Sequence, residues 1–413
     1  GKYKSAVEPY LLEKMSPENR EQYEKLLGDL WSEWKTSVAA DRKLKPEDLQ
    51  RIADEKGLVS PLDAQKAGLV DKLAYGDQVL DELKRLSGRS EKDQDFPQID
   101  LTDYAKLGGD AGSGGRVAIA YAEGTIVDGE GNGAQLGGDR LAQELRRLRL
   151  DNNVKAVVLR VNSPGGSAVA SDVIQREVIA LKKVKPVVVS MGTVAASGGY
   201  WISTYASRIF AEPSTLTGSI GVFGVLPNAR KLANDHGVTF DGVQLGKLAL
   251  PSLVRPANPE ELGRVQAFVD EIYDQFLSKV AEGRKLPKGA VHEIAQGRVW
   301  SGKEALKLGL VDELGGLDDA ARAAAKLAGL GTQFRLDAPE APRTPAEKLL
   351  KMFSNEKRKQ AAGLHLNASG RTNATLGVGS RIKRGVEQQI QALDAFNDPH
   401  GVYALMPFEA TIR

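Results

Sequence analysis

The stretch VKAVVLRVNSPGGSAVASDVIQREVIALKKVKPVVVSMGTVAASGGYW, residues 154–201, decides the fold class. Its apolar run Val157–Val161 leads into a Gly-Gly segment, Asn162–Ser167. A helical pattern follows from about Ser171 to Lys182, and a second apolar run, Val187–Ser190, leads into Met191–Trp201. Short apolar runs bounded by turn residues predict strands, and the 3.6-residue periodicity between them predicts a helix. Upstream, VAIAYAEG at residues 117–124 and a helical pattern around Leu141–Leu148 extend the alternation. Strand, helix, strand, helix in that order implies parallel strands joined by right-handed crossovers, an α/β core.

Both loops fall at the carboxyl ends of strands, where sites assemble in such sheets. Adjacent glycines leave backbone N–H groups unshielded and permit positive φ, which suits donors aimed at a developing oxyanion. Ser197 stands before Gly198 and Gly199 at an expected strand-to-helix junction, where a hydroxyl projects and the helix dipole favours negative charge. The same residues also fit tight turns capped by a serine.

A serine nucleophile needs a base, and histidine is the first place to look. There are four: His236 at the end of an expected helix, His292 within one, and His365 and His400 toward the C-terminus. None sits in a catalytic pattern, and HEIAQ at His292 lacks the second histidine of a zincin motif. Ser-x-x-Lys occurs at Ser32–Lys35 and Ser354–Lys357, in charged helical stretches without a Lys-Thr-Gly partner, and reads as coincidence. A productive lysine has to come from elsewhere.

Composition narrows the rest. The chain has 413 residues, enough for two or three domains, with 41% hydrophobic and 27% charged residues, the balance of a globular protein. A formal net charge of +2 announces no nucleic-acid partner, and the absence of cysteine excludes disulfides, thiolate nucleophiles and Cys-based zinc sites. No apolar run approaches the roughly 18 residues that span a bilayer.

The chain also repeats itself. Leu30–Leu73 returns as Ile272–Leu314, with SVAADRKL matched by KVAEGRKL and GLVDKL by GLVDEL. Extended backwards, GKYKSA at residues 1–6 lies against GKLALP at 246–251, so that Lys2 matches Lys247 while Lys4 matches Ala249. The second copy is preceded by strand-and-helix sequence from Arg116 onward and the first is not, which reads as a first repeat without its front half. The expected division is therefore 1–88 for the remainder of the first repeat and 89–115 for a polar, Gly-rich connector. The second repeat takes 116–330, and a C-terminal extension takes 331–413. Within that extension APEAPRTPAEKLLKMFSNEKRKQ, residues 338–360, is Pro-rich and then basic and amphipathic, which reads as an accessory surface helix or oligomer contact ahead of a membrane-binding role.

NSPGGS, SMGTVAASGGYWIS, STLTGSIGVFG, the opening GKYKSAVEP and the ending LDAFNDPHGVYAL together resemble the signal peptide peptidase A family in its long, tandem-repeat bacterial form. The resemblance implies an α/β fold of tandem Clp protease/crotonase-like repeats, the first incomplete here. It implies a serine endopeptidase with a Ser/Lys dyad, the serine from the second repeat and the lysine from the first: Ser197 and Lys4. By the same resemblance Ser219 hydrogen-bonds the lysine, and the N–H groups of Gly166 and Gly198 form the oxyanion hole. No metal or other cofactor is implied.

The expected substrates are hydrophobic peptides, above all remnant signal peptides. The expected place is the bacterial inner membrane, reached through an upstream anchor, with the catalytic part periplasmic in a bowl-shaped homo-oligomer, a tetramer. Two other classes fit the motifs less fully: a crotonase-like acyl-CoA enzyme, which has no need of Ser197, and a non-catalytic membrane quality-control scaffold. The dyad carries a physical requirement, because lysine titrates near about 10.4 in water and must fall toward neutrality to act as a base. Burial against apolar walls supplies such a fall.

Overall fold

A computed structural model describes residues 1–337 except Glu91, Thr102, 105–113, Pro227, Gln244 and 246–252, together with Asp398 and 402–406. The expected amphipathic helix in 338–360, His365, His400, Lys247 and Ala249 lie outside the described residues. Chain contacts divide the protein into two units, Gly1–Leu30 with Ser113–Ala338 and Gln388–Arg413, and Trp31–Gly112 with Pro339–Glu387. Within the first unit the first thirty residues are bonded to the segment near residues 296–299, Tyr3 N donating to Gln296 O and Gln22 Oε1 accepting from Val299 N.

The principal helices are α1 (Pro17–Arg42), α2 (Pro46–Lys56), α3 (Pro61–Lys66), α4 (Gly76–Leu86), α5 (Gly138–Leu150), α6 (Ala168–Lys182), α7 (Gly198–Ser203), α8 (Pro259–Arg284), α9 (Lys288–Ile294), α10 (Gly302–Lys307) and α11 (Leu317–Leu327). Among the described residues none is long and apolar enough to cross a membrane. The strands are β1 (Arg116–Glu123), β2 (Thr125–Val127), β3 (Gln135–Gly137), β4 (Val154–Ser163), β5 (Gly165–Ser167), β6 (Val187–Ala196), β7 (Arg208–Ala211), β8 (Leu216–Gly218), β9 (Phe223–Gly224), β10 (Val299–Ser301), β11 (Glu313–Leu314), β12 (Arg335–Asp337) and β13 (Val402–Leu405).

The larger unit is built on a sheet ordered β10-β8-β6-β4-β1-β12, with β7 on β6 and β11 on β7. The strands β1, β4 and β6 are parallel, as the α/β reading requires. Period-two alternation divides their side chains between two cores. Ala118, Ala120, Val157, Leu159, Val187 and Val189 meet α5, α6 and α8 through Leu145, Ile174 and Phe276. Val117, Ile119, Ala156, Val158 and Val188 meet the alanine face of α11, Ala320, Ala321, Ala324 and Ala325. A second sheet, β3-β2-β5-β13-β9, lies at the carboxyl ends of the main strands.

Strand β6 runs further than its composition suggests. The segment Met191–Ala196, expected as loop, continues the strand after a register shift in which Val161 faces Met191 and Ser163 faces Ala195. The extra β6 residues bulge over Asn162, whose side-chain oxygen accepts from Val194 N at 3.2 Å. This bulge sets where β6 ends, and therefore where Ser197 stands. The NSPGGS loop is likewise shorter than expected, with β4 reaching Ser163 and β5 beginning at Gly165.

The smaller unit's described part is the second half of α1 with α2, α3 and α4. These helices match α8–α11 in order, in length for α1 and α8, α3 and α10, and α4 and α11, and in cap chemistry. The N-caps Ser60 and Ser301 accept from Asp63 N and Glu304 N, and the left-handed turns at Lys43 and Lys285 have φ of 55° and 56°.

Candidate active site

Ser197 occupies the one-residue corner between β6 and α7. Its φ of 55° and ψ of −114° lie in a region that a residue with a Cβ rarely visits, at a cost on the order of 1–3 kcal/mol that surrounding contacts must hold. They do so from both sides: Ser197 N donates to Gly218 O at 2.8 Å, and Ser197 O accepts from Trp201 N at 2.8 Å. The following residue has to be glycine, because a Cβ on Gly198 would stand 2.6 Å from Ser171 Oγ and 3.1 Å from Gly165 Cα. Gly198 opens α7, so its N–H has no acceptor within that helix.

Ser219 follows β8 and also has positive φ, 50°, with its N–H bonded to Arg298 O at 2.7 Å. Strand β8 pairs with β6 on one side, Gly218 opposite Ala196, and with β10 on the other. The two serines are thereby carried on neighbouring strand ends.

Lys4 reaches them from the N-terminal segment. Its Nζ lies 2.7 Å from Ser197 Oγ, 2.9 Å from Ser219 Oγ and 3.0 Å from Ser219 O. Ser197 and Ser219 are wholly buried and Lys4 is 7% exposed. Among the described residues no carboxylate is a partner of Nζ, and burial holds the ammonium well below its ordinary value. Lys2, the other lysine of the opening segment, is exposed and lies over the Tyr3 ring at 5.1 Å.

The segment that presents Lys4 is tied down by side chains that the sequence pattern did not single out. Tyr3 N donates to Gln296 O at 2.9 Å, and Gly297 lies against the Lys4 backbone so closely that a Cβ there would collide with it. Buried Gln22 donates to Tyr3 O at 3.1 Å and to Asn19 Oδ1 at 3.0 Å, while its own Oε1 accepts from Val299 N at 3.2 Å. Ser5 Oγ donates to Asn19 Oδ1 at 2.9 Å. Gln22 thus joins the residue before Lys4 to the strand whose preceding carbonyl holds Ser219. Nothing short of the fold reveals this, since the partners are separated by up to 277 positions.

Gly165 sits against Gly198, the residue after the serine. Gly165 and Gly166, in β5, have φ of 95° and 156°, and a Cβ on Gly165 would collide with the Ala404 carbonyl oxygen and lie 2.5 Å from Gly198 N. Gly166 is flanked by Ile126 of β2 and Ala404 of β13. The two described histidines are engaged elsewhere: His236 Nδ1 meets Leu232 O and His292 Nδ1 meets the Tyr273 hydroxyl. Lys35 of the first Ser-x-x-Lys pattern donates to Gln50.

The model of "Peptidase family S49" matches residues 1–90 and 179–331 of this chain. The matched residues include Lys4, Ser197 and Ser219. "Protease 4" of Salmonella typhi is 40% identical over 100% of this chain and 67% of its own length. The chain belongs to peptidase family S49. Its enzyme class is that of a serine peptidase. "Serine protease SPPA, chloroplastic" of Arabidopsis thaliana is 36% identical over 78% of this chain and 48% of that protein, so the chain spans about half to two thirds of these relatives. Among solved structures a ClpP1 mutant from Listeria monocytogenes aligns with a TM-score of 0.34 and 16% identity, over 49% of this chain and 94% of that one.

Proposed function

We infer that this peptidase works through a dyad in which Ser197 is the nucleophile and Lys4 the general base. The observation that carries the reading is the 2.7 Å approach of Lys4 Nζ to Ser197 Oγ inside a buried site with no competing carboxylate. A neutral amine has two N–H donors and one lone pair, and the site offers a matching set. Ser219 O and Ser219 Oγ accept the two N–H bonds, which leaves the lone pair directed at the Ser197 hydroxyl.

As Ser197 Oγ attacks the scissile carbonyl, its proton passes to Lys4 Nζ. The oxyanion that forms is stabilised by Gly198 N–H, with Gly166 N–H as second donor. The Lys4 ammonium, held in low dielectric, then returns its proton to the leaving amine as the C–N bond breaks. The neutral amine next takes a proton from the water that attacks the acyl-serine and returns it to Ser197 Oγ as the ester C–O bond breaks. Ser219 keeps Nζ in register throughout and does not react.

The substrates of this reading are extended hydrophobic peptides, foremost the remnants of signal peptides, at the periplasmic side of a bacterial inner membrane. The sequence motifs shared with the signal peptide peptidase A family support this. The test is intact-mass and peptide-mapping analysis after exposure to a fluorophosphonate. Single modification at Ser197, abolished in Ser197→Ala and strongly slowed in Lys4→Ala, is the expected result. Modification elsewhere, or equal rates in Lys4→Ala, would overturn the dyad.

A further inference from the structure

Lys4 stands at the apex of a three-residue turn. Its φ of −81° and ψ of 72°, with Ser5 N donating to Tyr3 O at 3.0 Å, are those of an inverse γ-turn, so the Tyr3 carbonyl is the pivot of the lysine's own backbone. Tyr3 is held at both backbone atoms, its N–H by Gln296 O and its carbonyl by Gln22 Nε2 at 3.1 Å. The same Gln22 amide accepts from Val299 N at 3.2 Å, and Val299 faces Gly218 in the ladder between β10 and β8. Gly218 O accepts from Ser197 N, and the carbonyl of Arg298, the residue before Val299, accepts from Ser219 N. One buried side chain therefore spans from the carbonyl before Lys4 to the strand position that carries both serines. Its amide fits only one way round. The two N–H donors go to Tyr3 O and Asn19 Oδ1 and the oxygen takes Val299 N; reversed, N–H would meet N–H at Val299 and oxygen would meet oxygen at Tyr3.

The second copy shows what this helix does without a lysine to hold. Helices α1 and α8 align without a gap, which sets Ser16, Asn19 and Gln22 against Asn258, Glu261 and Arg264. In α8 the box is closed: Glu261 N donates to Asn258 Oδ1 at 2.8 Å and Asn258 N donates to Glu261 Oε2 at 2.9 Å, while Arg264 is exposed. In α1 Asn19 N still donates to Ser16 Oγ at 3.1 Å, but Ser16 N turns to Glu8 Oε2 at 3.2 Å, a carboxylate supplied by the Lys4 segment itself. The Asn19 side chain is thereby freed from the box. It accepts from Ser5 Oγ and Gln22 Nε2 and donates to Glu8 at 2.9 Å. Capping a helix needs neither this opened box nor a buried glutamine where the other copy has an exposed arginine, so the rearrangement answers to the segment that carries Lys4.

Resting on the dyad reading above, we propose that Gln22, with Asn19 behind it, is the positioning residue of the dyad: it fixes the span from Tyr3 O to β10 and so keeps Lys4 Nζ on Ser197 Oγ and out of water. Gln22 is bonded to neither serine and acts through Lys4. A lysine released from this brace loses its aim and gains solvent, two effects with separate signatures. Misplacement by about 1 Å costs on the order of 100-fold in rate. Solvent relieves the penalty on the ammonium, so the amine becomes neutral only at higher pH.

Peptide hydrolysis by the full chain across pH, with fluorophosphonate labelling of Ser197 alongside, tests this. Gln22→Met keeps the volume and removes the amide; it is expected to lower kcat by about 10- to 100-fold with KM within about twofold, and to move the acid limb to higher pH. Gln22→Asn carries the same amide on a stem one carbon shorter and is expected to recover part of the loss. Arg264→Met, the matching change in the other copy, should leave both readouts at parent values. The charged groups bordering the segment are the Gly1 amine, Lys2, Glu8, Glu21, Asp270 and Arg298, so the limb that belongs to Lys4 is the one that Lys4→Ala lacks. Parent kcat and an unmoved limb in both Gln22 variants, with Lys4→Ala impaired, would overturn the proposal and leave the dyad intact. Lower kcat with an unmoved limb would overturn it as well, since a support of the fold alone does not change when Lys4 titrates. If Gln22→Met does not fold, the limb in Gln22→Asn decides. Lys4→Ala at the parent rate removes the dyad, and the brace with it.

Discussion

Arg42 and Arg284 make the same pair of contacts in the two copies of the helical module. Arg42 Nε donates to Gly68 O and its guanidinium pairs with Asp71 at 2.9 Å; Arg284 Nε donates to Gly309 O and its guanidinium pairs with Asp312 at 2.7 Å. Around them the copies diverge. The side chains of Arg42 and Asp71 are 28% and 87% exposed, against 7% and 24% for Arg284 and Asp312. Asp312 also accepts from Ile209 N at the edge of the main sheet. The helices that close each copy show the same contrast: Val79 of α4 is exposed, while Ala320 at the matching position of α11 is wholly buried on β1, β4 and β6. Local code sets caps, turns and the arginine clasp in both copies; the sheet decides which copy becomes core.

The copies differ most where chemistry is concerned, because Lys4 has Ala249 as its counterpart in the aligned sequence. Making the first copy like the second, Lys4→Ala, is expected to lower kcat/KM by about 10²- to 10⁴-fold, the usual contribution of a positioned base. Ser197→Ala is expected to cost about a millionfold. Lys4→Arg should not rescue, since a guanidinium stays protonated and has no lone pair to offer. Peptide hydrolysis assays decide this, and a Lys4→Ala protein retaining parental kcat/KM would contradict the dyad. On the dyad reading the reactive form in the parent is the neutral amine, so kcat/KM should fall as pH drops through the depressed Lys4 value.

The same burial has a stability signature. The unfolded chain binds a proton at this lysine up to about pH 10.4 and the native chain releases it at lower pH, so between the two values the unfolded state holds more protons. Parent stability therefore rises with pH across that window, and Lys4→Met lacks the rise. Denaturant unfolding at several pH values should show the difference shifting in the parent's favour as pH increases. A constant difference would mean that Lys4 is charged in the folded protein.

A third experiment tests the comparison by stability alone. Arg284→Ala leaves the Asp312 carboxylate without its partner at the sheet edge and should destabilise by about 3 kcal/mol. Arg42→Ala breaks an exposed pair and should leave the unfolding midpoint unchanged. Equal effects in the two variants would show that sheet contact adds nothing to the clasp.

These contrasts also mark what could be read from sequence. The runs Val157–Val161 and Val187–Ser190 and the helix from Ser171 to Lys182 announce themselves by periodicity, since burial on both faces demands apolar strands. The extent of β6 does not, because Gly192 and Thr193 lack apolar side chains and their place in the strand depends on a bulge against Asn162. Ser197 was visible through the glycines that follow it. Lys4 was legible through family resemblance and the duplication that sets it against Ala249, while its pairing with Ser197 across 193 positions is closed only by the fold. Gln22 and Asn19 carried no signal, being polar residues in a charged helix whose burial depends on where the Lys4 segment docks. Strand β13 was in plain view in GVYAL, a short apolar run, yet nothing in its composition says which strands it pairs with.

The smallest expected difference lies in the caps. Ser60 and Ser301 each accept a backbone N–H three residues on, so capping chemistry alone predicts about 1 kcal/mol lost on substitution by alanine in either copy. Ser301 has a second engagement: it is 1% exposed, and its hydroxyl donates to Asp29 at 3.1 Å. Ser301→Ala therefore leaves a partly buried carboxylate short of one donor as well as a helix without its cap, and should exceed Ser60→Ala. Asp29 also pairs with Lys25, which limits the excess to a fraction of a full hydrogen bond, below about 1 kcal/mol. Urea unfolding of both variants resolves a gap of that size. If Ser60→Ala is the more damaging, the first copy's helices depend on local capping more than the second's, and the sheet in the second copy compensates for a lost cap.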